Sequence, residues 1–266
     1  MELLGFEAYI TVDGVKVPHY EVKIDERTKA ASCWIPSEAG KTFAVNWRPL
    51  KPRHFVTCGW VYLDGVSVGA EYARMGRSSF VSQCDVVTSP STTRPFLFAP
   101  VKLTDDDAYL KSENTKDLGS IVLRICAVKM KEVRKARVWT PILVEKVHER
   151  TKKATVHQVQ FGEERRGAEI YVRESSHIAT LATFTFKYRS LERLRADSIA
   201  PPDPALQRKR KRTAGDSGVG EHDAEKAELQ AQVRVLKAKL AKRSEVNRVK
   251  TESCSCRVPA TIIDLT

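Results

Sequence analysis

The histidines and carboxylates of this chain are the residues whose types suit catalytic or metal chemistry. The 266 residues contain no Gly-x-Ser-x-Gly turn, glycine-rich phosphate loop or His-Glu-x-x-His pair. The densest polar stretch is His148-Glu149, followed by His157, and these types could act as general acid and base. A solvated polar loop explains the same stretch. We therefore predict no catalytic, cofactor or metal residue, and an enzyme without local motifs stays an alternative.

The cysteines indicate neither a disulfide framework nor a metal site. Cys33, Cys58 and Cys126 lie in apolar, strand-like runs and are predicted to be buried thiols. Cys254 and Cys256 lack neighbouring ligands to complete the four that structural zinc needs.

A basic cluster is the clearest targeting signal. It consists of Arg208, Lys209, Arg210, Lys211 and Arg212. Flanking prolines and glycines should keep it extended, as an acidic receptor groove requires, although a solvated charge run has the same composition. We predict nuclear localisation, with a nuclear import receptor as partner. Glycines after the cluster interrupt any helix that would read DNA as a basic zipper.

The last residues of the sequence are unusually apolar for a polar tail. Ile262, Ile263 and Leu265 surround Asp264, and exposed apolar residues of this kind usually meet a partner. The run resembles the interaction motif for the small ubiquitin-like modifier (SUMO), a short strand that adds to the edge of a sheet. The entropy cost of ordering a flexible end offsets much of the free energy gained by burying these aliphatic side chains, so binding should be weak.

Two further tail features suggest interactions. Val249-Lys250-Thr251-Glu252 resembles the attachment consensus of the same modifier, which makes Lys250 a candidate attachment site. Residues 223–244 carry aliphatics at intervals of three and four, which predicts a helix. That helix would either fold on a partner or form a weak homodimeric coiled coil.

Most of residues 1–190 show the alternation of apolar and polar residues that is typical of strands. Asp13-Gly14 and Asp64-Gly65 predict tight hairpin turns. The apolar run from Ile121 to Val128 predicts a central strand, with Arg124 as its only charged residue. Ser190–Ile199 predicts a short helix capped by Ser190.

These patterns predict a mainly β fold, an antiparallel β-sandwich over residues 1–200 with a short C-terminal helix. A basic linker over 201–222, an isolated helix over 223–244 and a disordered tail over 245–266 should follow. The sequence contains no signal-peptide pattern and no membrane-spanning apolar run, so we expect an intracellular protein without a membrane partner.

The net charge of +12 suggests a second function, sequence-tolerant binding of nucleic acid. Its candidate surface is a basic stretch formed by Lys129, Lys131, Arg134, Lys135 and Arg137. Only Trp139 lies close by, and a platform for unpaired bases needs several aromatics. The preferred prediction is therefore a non-enzymatic nuclear interaction protein with a weak SUMO-binding tail.

Several spaced strings carry a resemblance over most of residues 1–200. They are FEAYITVDG, CWIPSEAG, WVYLDG, GSIVLRICAV, VHERTKK and FTFKYR. They are similar to an uncharacterised fungal family, the domain of unknown function 7918 family. The resemblance implies a β-rich domain followed by a basic disordered tail, often with an Ile-Asp-Leu-type end. It implies no activity, ligand or catalytic residue.

Overall fold

A computed structural model describes residues 1–106, 117–136, 138, 141, 147–148 and 156–202. Seventeen strands and one helix occur in these residues. The first strands are β1 (Glu2–Leu3), β2 (Phe6–Val12), β3 (Val15–Lys16), β4 (Tyr20–Asp25), β5 (Ala30–Ser37) and β6 (Phe43–Pro49). They are followed by β7 (Thr57–Leu63), β8 (Val66–Ala73), β9 (Val81–Gln83), β10 (Asp85–Ser89), β11 (Thr92–Pro100) and β12 (Leu103–Thr104). The last elements are β13 (Ser120–Lys135), β14 (Val147–His148), β15 (His157–Phe161), β16 (Arg165–Arg166), β17 (Tyr171–Ser190) and α1 (Leu191–Ala196).

Both predicted Asp-Gly turns join neighbouring strands. Asp13 and Gly14 have φ angles of 45° and 79° between β2 and β3, and Asp64 and Gly65 have 49° and 84° between β7 and β8. Two successive positive φ angles match the twist of a hairpin, and Asp-Gly adopts them readily. The two sequence predictions are confirmed.

The largest sheet has six strands in the order β4-β5-β17-β13-β7-β8. The predicted central strand lies in β13, which pairs with β17 on one side and β7 on the other. β17 runs parallel to β5, whereas the other neighbours in this sheet are antiparallel. A parallel pair needs a long connection, and here it spans the chain from Ser37 to Tyr171.

Two smaller sheets cover the inner face of the six-stranded sheet. One has the order β1-β2-β6-β9 with β3 beside β2, and the other has β10-β11-β15 with β16 beside β11. Aromatic residues from these sheets reach the opposite layer. An added Cβ at Gly59 in β7 would lie 2.5 Å from Nε1 of Trp47, and the ring centroids of Phe98 and Tyr188 are 5.0 Å apart. Alternate residues of each layer thus form one apolar core.

The helix α1 follows β17 directly, as predicted. The side chain of Ser190 accepts a hydrogen bond from the backbone of Arg193 at 3.3 Å, which caps the first turn. Leu194 is fully buried, so this short helix is attached to the domain by its apolar side.

The mainly β fold and the short C-terminal helix are confirmed. Most strand pairs are antiparallel, as predicted, whereas β5 with β17 and β12 with β14 pair in parallel. No helix in the described part of the chain is long and apolar enough to cross a membrane. The predicted helix over 223–244 and the tail over 245–266 lie outside the described residues.

Candidate functional site

His157 is engaged inside the domain. It is 9% exposed, and its Nδ1 atom lies 2.8 Å from the hydroxyl oxygen of Ser37 at the end of β5. Burial lowers the pKa of His157, because the charged ring loses water. His148 pairs through its backbone with Thr104, and Glu149 lies outside the described residues. The acid–base group suggested by His148, Glu149 and His157 is therefore described only in part, and His157 already has a buried partner.

Asp64 forms a second buried polar group. Its Oδ1 atom accepts hydrogen bonds from the backbone N–H of Gly119 at 2.8 Å and of Ser120 at 3.3 Å. Its Oδ2 atom accepts one from the N–H of Val159 at 2.9 Å, and the hydroxyl of Tyr188 donates at 2.7 Å. Burial raises the pKa of Asp64 to about 6, although these donors oppose the rise. The carboxyl group thus joins the β7–β8 turn to β13, β15 and β17, which is a structural role.

The described residues contain no group of three or more His, Cys, Asp or Glu side chains that could hold a metal ion. Cys33, Cys58 and Cys126 are buried free thiols, as predicted. Burial raises the pKa of Cys33 and of Cys58 to about 12. These thiols are therefore protonated near neutral pH and are weak nucleophiles. Cys254 and Cys256 lie outside the described residues.

The basic stretch predicted for nucleic acid lies in the second half of β13. Arg134 forms an ion pair with Glu174 in β17, and Lys135 forms one with Glu169 just before β17. Lys129 and Lys131 are exposed, while Arg137 and Trp139 lie outside the described residues. Because acids neutralise two of its cations, this stretch is a weaker anion site than its sequence suggests.

A different set of cations lies on the outer face of the six-stranded sheet, away from the core. We call this set the outer-face patch, and its residues are Trp34, Trp60, Tyr62, Arg124 and Lys187. Each alternates along its strand with buried residues, so it points away from the core. The strand register places Trp34 opposite Lys187 and Trp60 opposite Arg124. Strands distant in the chain therefore bring aromatic and basic side chains together.

Two separate cation–π contacts occur within the outer-face patch. The guanidinium carbon of Arg124 lies 5.2 Å from the ring centroid of Tyr62, and Nζ of Lys187 lies 5.5 Å from that of Trp34. Arg189 also stacks over Trp34, at 4.5 Å, but it forms an ion pair with Asp197. Neither Arg124 nor Lys187 has an ion pair with any residue that the structure describes. Both are exposed and keep their charge available to an anion.

A surface depression of about 250 Å³ lies beside the patch. Trp60, Tyr62 and Arg124 line one part of it, and His177 lies in its wall. Cys126 and Val128, which are buried and pack near Trp60, supply apolar lining. This volume is below the range of about 300–1,000 Å³ typical of drug-sized ligand pockets. It suits one planar group laid on an apolar surface beside a cation.

Sequence reasoning missed the outer-face patch, although part of its signal was visible. Trp60 and Tyr62 stand two apart in a predicted strand, and Arg124 is the only charge in a predicted central strand. Their proximity requires the register between β7 and β13, which no local pattern reveals. The predicted tail sites all lie outside the described residues, namely Arg208, Lys209, Arg210, Lys211, Arg212, Lys250, Ile262, Ile263, Asp264 and Leu265.

Comparison with known proteins identifies the β-rich domain. A family model described as "Domain of unknown function (DUF7918)" matches residues 5–203, which is more than half of the chain. The match covers β2 to β17 and α1, and it confirms the family resemblance carried by the spaced strings. No curated protein and no solved structure matched the chain. The chain therefore belongs to the DUF7918 family, a domain of unknown function.

Proposed function

We propose that this protein is a non-enzymatic nuclear interaction protein whose β-rich domain binds an anionic partner on the outer-face patch. The observation that carries this proposal is the pair of exposed cations, Arg124 and Lys187, which lie over aromatic rings on a sheet and have no ion pair among the described residues. Such cations attract polyanions without needing a deep pocket. In contrast, Asp64 and His157 are bound to Tyr188 and Ser37 in the interior, which supports a binding role over catalysis.

Polyanion affinity tests this proposal. The full chain is first neutralised in the tail by changing each residue of 208–212 to Gln, so that the basic cluster does not mask the domain. In that background, the Arg124→Gln/Lys187→Gln variant should elute from heparin at lower salt than its parent, since each lost contact weakens salt-dependent binding. The matched control is Lys51→Gln/Arg77→Gln, which removes two exposed cations outside the patch. Identical elution of all three proteins would contradict the proposal.

The tail would provide localisation and a weak second contact. In this proposal, the cluster of residues 208–212 engages an import receptor, and Ile262, Ile263, Asp264 and Leu265 pair with an exposed sheet edge of the small ubiquitin-like modifier. Lys250 would be the attachment site for that modifier. Residues 223–244 would form a helix that pairs weakly with a second copy. The aliphatic character of the last residues supports the docking part of this proposal.

NMR titration tests the docking contact. The full chain is added to isotope-labelled modifier, and shifts are expected along one edge strand of its sheet. The variant Ile262→Ala/Ile263→Ala/Leu265→Ala should abolish those shifts, because it removes most of the buried apolar area. Changing Val246, Val249 and Val258 to Ala is the matched control, since it removes aliphatic residues of the same tail outside the motif. Equal shifts with both variants would exclude the motif as the contact.

A further inference from the structure

We propose that the anionic partner of the outer-face patch is single-stranded nucleic acid. Its bases would stack on Trp60 and Tyr62, and its phosphates would meet Arg124 and Lys187. This inference rests on the proposed function of the patch and adds the chemical class of the partner. It also places the contact on a surface other than the basic stretch of β13.

The spacing of the aromatic residues fits successive bases. Trp60 and Tyr62 stand two apart in β7, so their side chains leave the same face about 7 Å from each other. Trp34 lies on β5, separated from β7 by β17 and β13, which is about 14 Å across the sheet, and the register sets it four residues, about 13 Å, further along the strands than Trp60. Aromatic side chains spread over neighbouring strands in this way form a platform on which unpaired bases stack.

The cations lie between these stacking positions. Arg124 is on β13 and Lys187 is on β17, the two strands between the aromatics of β7 and those of β5. A chain that runs diagonally across the sheet from Trp60 to Trp34 would therefore pass both positive charges, which the register sets about 14 Å apart. Asp197, whose partner Arg189 stacks over Trp34, is neutralised by that ion pair. The charge offered by the patch is thus positive.

The depression beside Trp60 favours a base over a carboxylate. An acidic peptide would use the two cations, but it has no use for half-buried aromatic rings and an apolar lining. A planar base can cover Cys126 and Val128 while it stacks against Trp60 or Tyr62. Paired bases in a duplex present only their edges, so a flat aromatic platform selects unpaired ones.

Fluorescence anisotropy with three probes tests this inference. The protein is the full chain with residues 208–212 changed to Gln, so that the tail does not bind the probes. The probes are a labelled 20-nucleotide oligodeoxythymidylate, a duplex DNA of the same length and poly-L-glutamate. The stacking variants are Tyr62→Leu and Trp60→Leu. Their matched control is Tyr171→Leu, which removes an aromatic side chain that is 55% exposed outside the patch.

We expect Tyr62→Leu and Trp60→Leu each to weaken oligodeoxythymidylate binding about 10-fold, and to leave poly-L-glutamate binding unchanged. Arg124→Gln should weaken binding of both probes and reduce the slope of log K against log salt by about 0.7 for the oligonucleotide. Tyr171→Leu should behave as the parent. Thermal unfolding of each variant confirms that it is folded, and Tyr62→Leu serves as the test if Trp60→Leu is not.

Three results would overturn the inference. Unchanged oligonucleotide binding by both stacking variants, with Arg124→Gln weakening both probes, would indicate an acidic protein partner and leave the proposed function intact. Equal affinity for the duplex and the single strand would exclude stacking on unpaired bases. If Arg124→Gln and Lys187→Gln change the binding of none of the three anionic probes, the proposed function fails as well.

Discussion

The hydroxyl of Tyr188 lies 2.7 Å from both carboxylate oxygens of Asp64, although 124 residues separate the two in the chain. Asp64 begins the turn after β7, and Tyr188 lies near the end of β17, which pairs with the parallel strand β5. The contact therefore joins an early hairpin to the last strand of the domain. Since both groups are fully buried, their hydrogen bonds replace those lost to water.

Removal of this hydroxyl should destabilise the domain. Tyr188→Phe keeps the ring that contacts Phe98 but takes one donor from a buried carboxyl group. We expect the free energy of unfolding to fall by about 1–3 kcal/mol, measured by urea denaturation. Tyr171→Phe is the control, because its hydroxyl bonds to Glu169 at the surface and should contribute less than about 0.5 kcal/mol. Equal effects of the two changes would contradict the role assigned to Asp64.

The raised pKa of Asp64 predicts a pH dependence of stability. Its folded-state pKa is about 6, compared with an ordinary value of 3.8, so the folded protein retains this proton to higher pH than the unfolded chain. Protonated Asp64 therefore stabilises the folded state. This contribution to the free energy of unfolding totals about 3 kcal/mol, is complete below about pH 4 and is lost as pH rises to about 6.

The measurement is the free energy of unfolding of the wild type and of Asp64→Asn at several pH values. Asn tolerates the positive φ angle of this turn position and does not titrate. The free energy of unfolding of the wild type minus that of Asp64→Asn should decline from pH 4 to pH 6 and then stay constant. A difference that grows over this range would mean that the hydrogen-bond donors outweigh burial and hold the pKa of Asp64 low.

Gly59 should tolerate no side chain, because the two layers meet there. A Cβ atom at this position would lie 2.5 Å from Nε1 of Trp47 and 3.0 Å from a methyl carbon of Leu123. We expect Gly59→Ala to lower the free energy of unfolding by about 1–3 kcal/mol. In a Trp47→Phe background the same change should cost less, since the smaller ring leaves space. A double-mutant cycle without coupling would show that the strain has another source.

The contact between Ser37 and His157 can be tested for a structural role against a catalytic one. Ser37→Ala should lower the free energy of unfolding by about 1–2 kcal/mol, because it leaves a buried ring nitrogen without its partner. A fluorophosphonate probe should not label Ser37 in the folded protein, because the residue as a whole is only 5% exposed. Labelling that disappears in His157→Asn would instead favour the enzymatic alternative.

The basic cluster predicts nuclear accumulation. A fluorescent fusion of the full chain should concentrate in nuclei, and changing residues 208–212 to Gln should distribute it between both compartments. The receptor groove needs several adjacent cations, so one substitution should have a smaller effect. Lys129→Gln/Lys131→Gln is the control for loss of charge alone, since these cations are exposed in β13. Unchanged localisation of the cluster variant would exclude this signal.

Local patterns were sufficient for the elements of the domain. The alternation of apolar and polar residues indicated the strands around Phe6, Phe43 and Phe184, and two Asp-Gly pairs indicated the hairpin turns after β2 and β7. Ser190 indicated the start of α1. These features depend on residues close in the chain, whose backbone preferences and spacing carry the information.

By itself, the sequence determined the mainly β class, the turns, the terminal helix and the buried thiols, because each depends on neighbouring residues. Only the tertiary structure decided that β17 inserts between β5 and β13, since pairing of distant strands depends on which apolar faces complete a common core. That insertion buries Tyr188 against Asp64 on one face of the sheet. On the other face it sets Lys187 beside Trp34, while β13 sets Arg124 beside Trp60 and Tyr62.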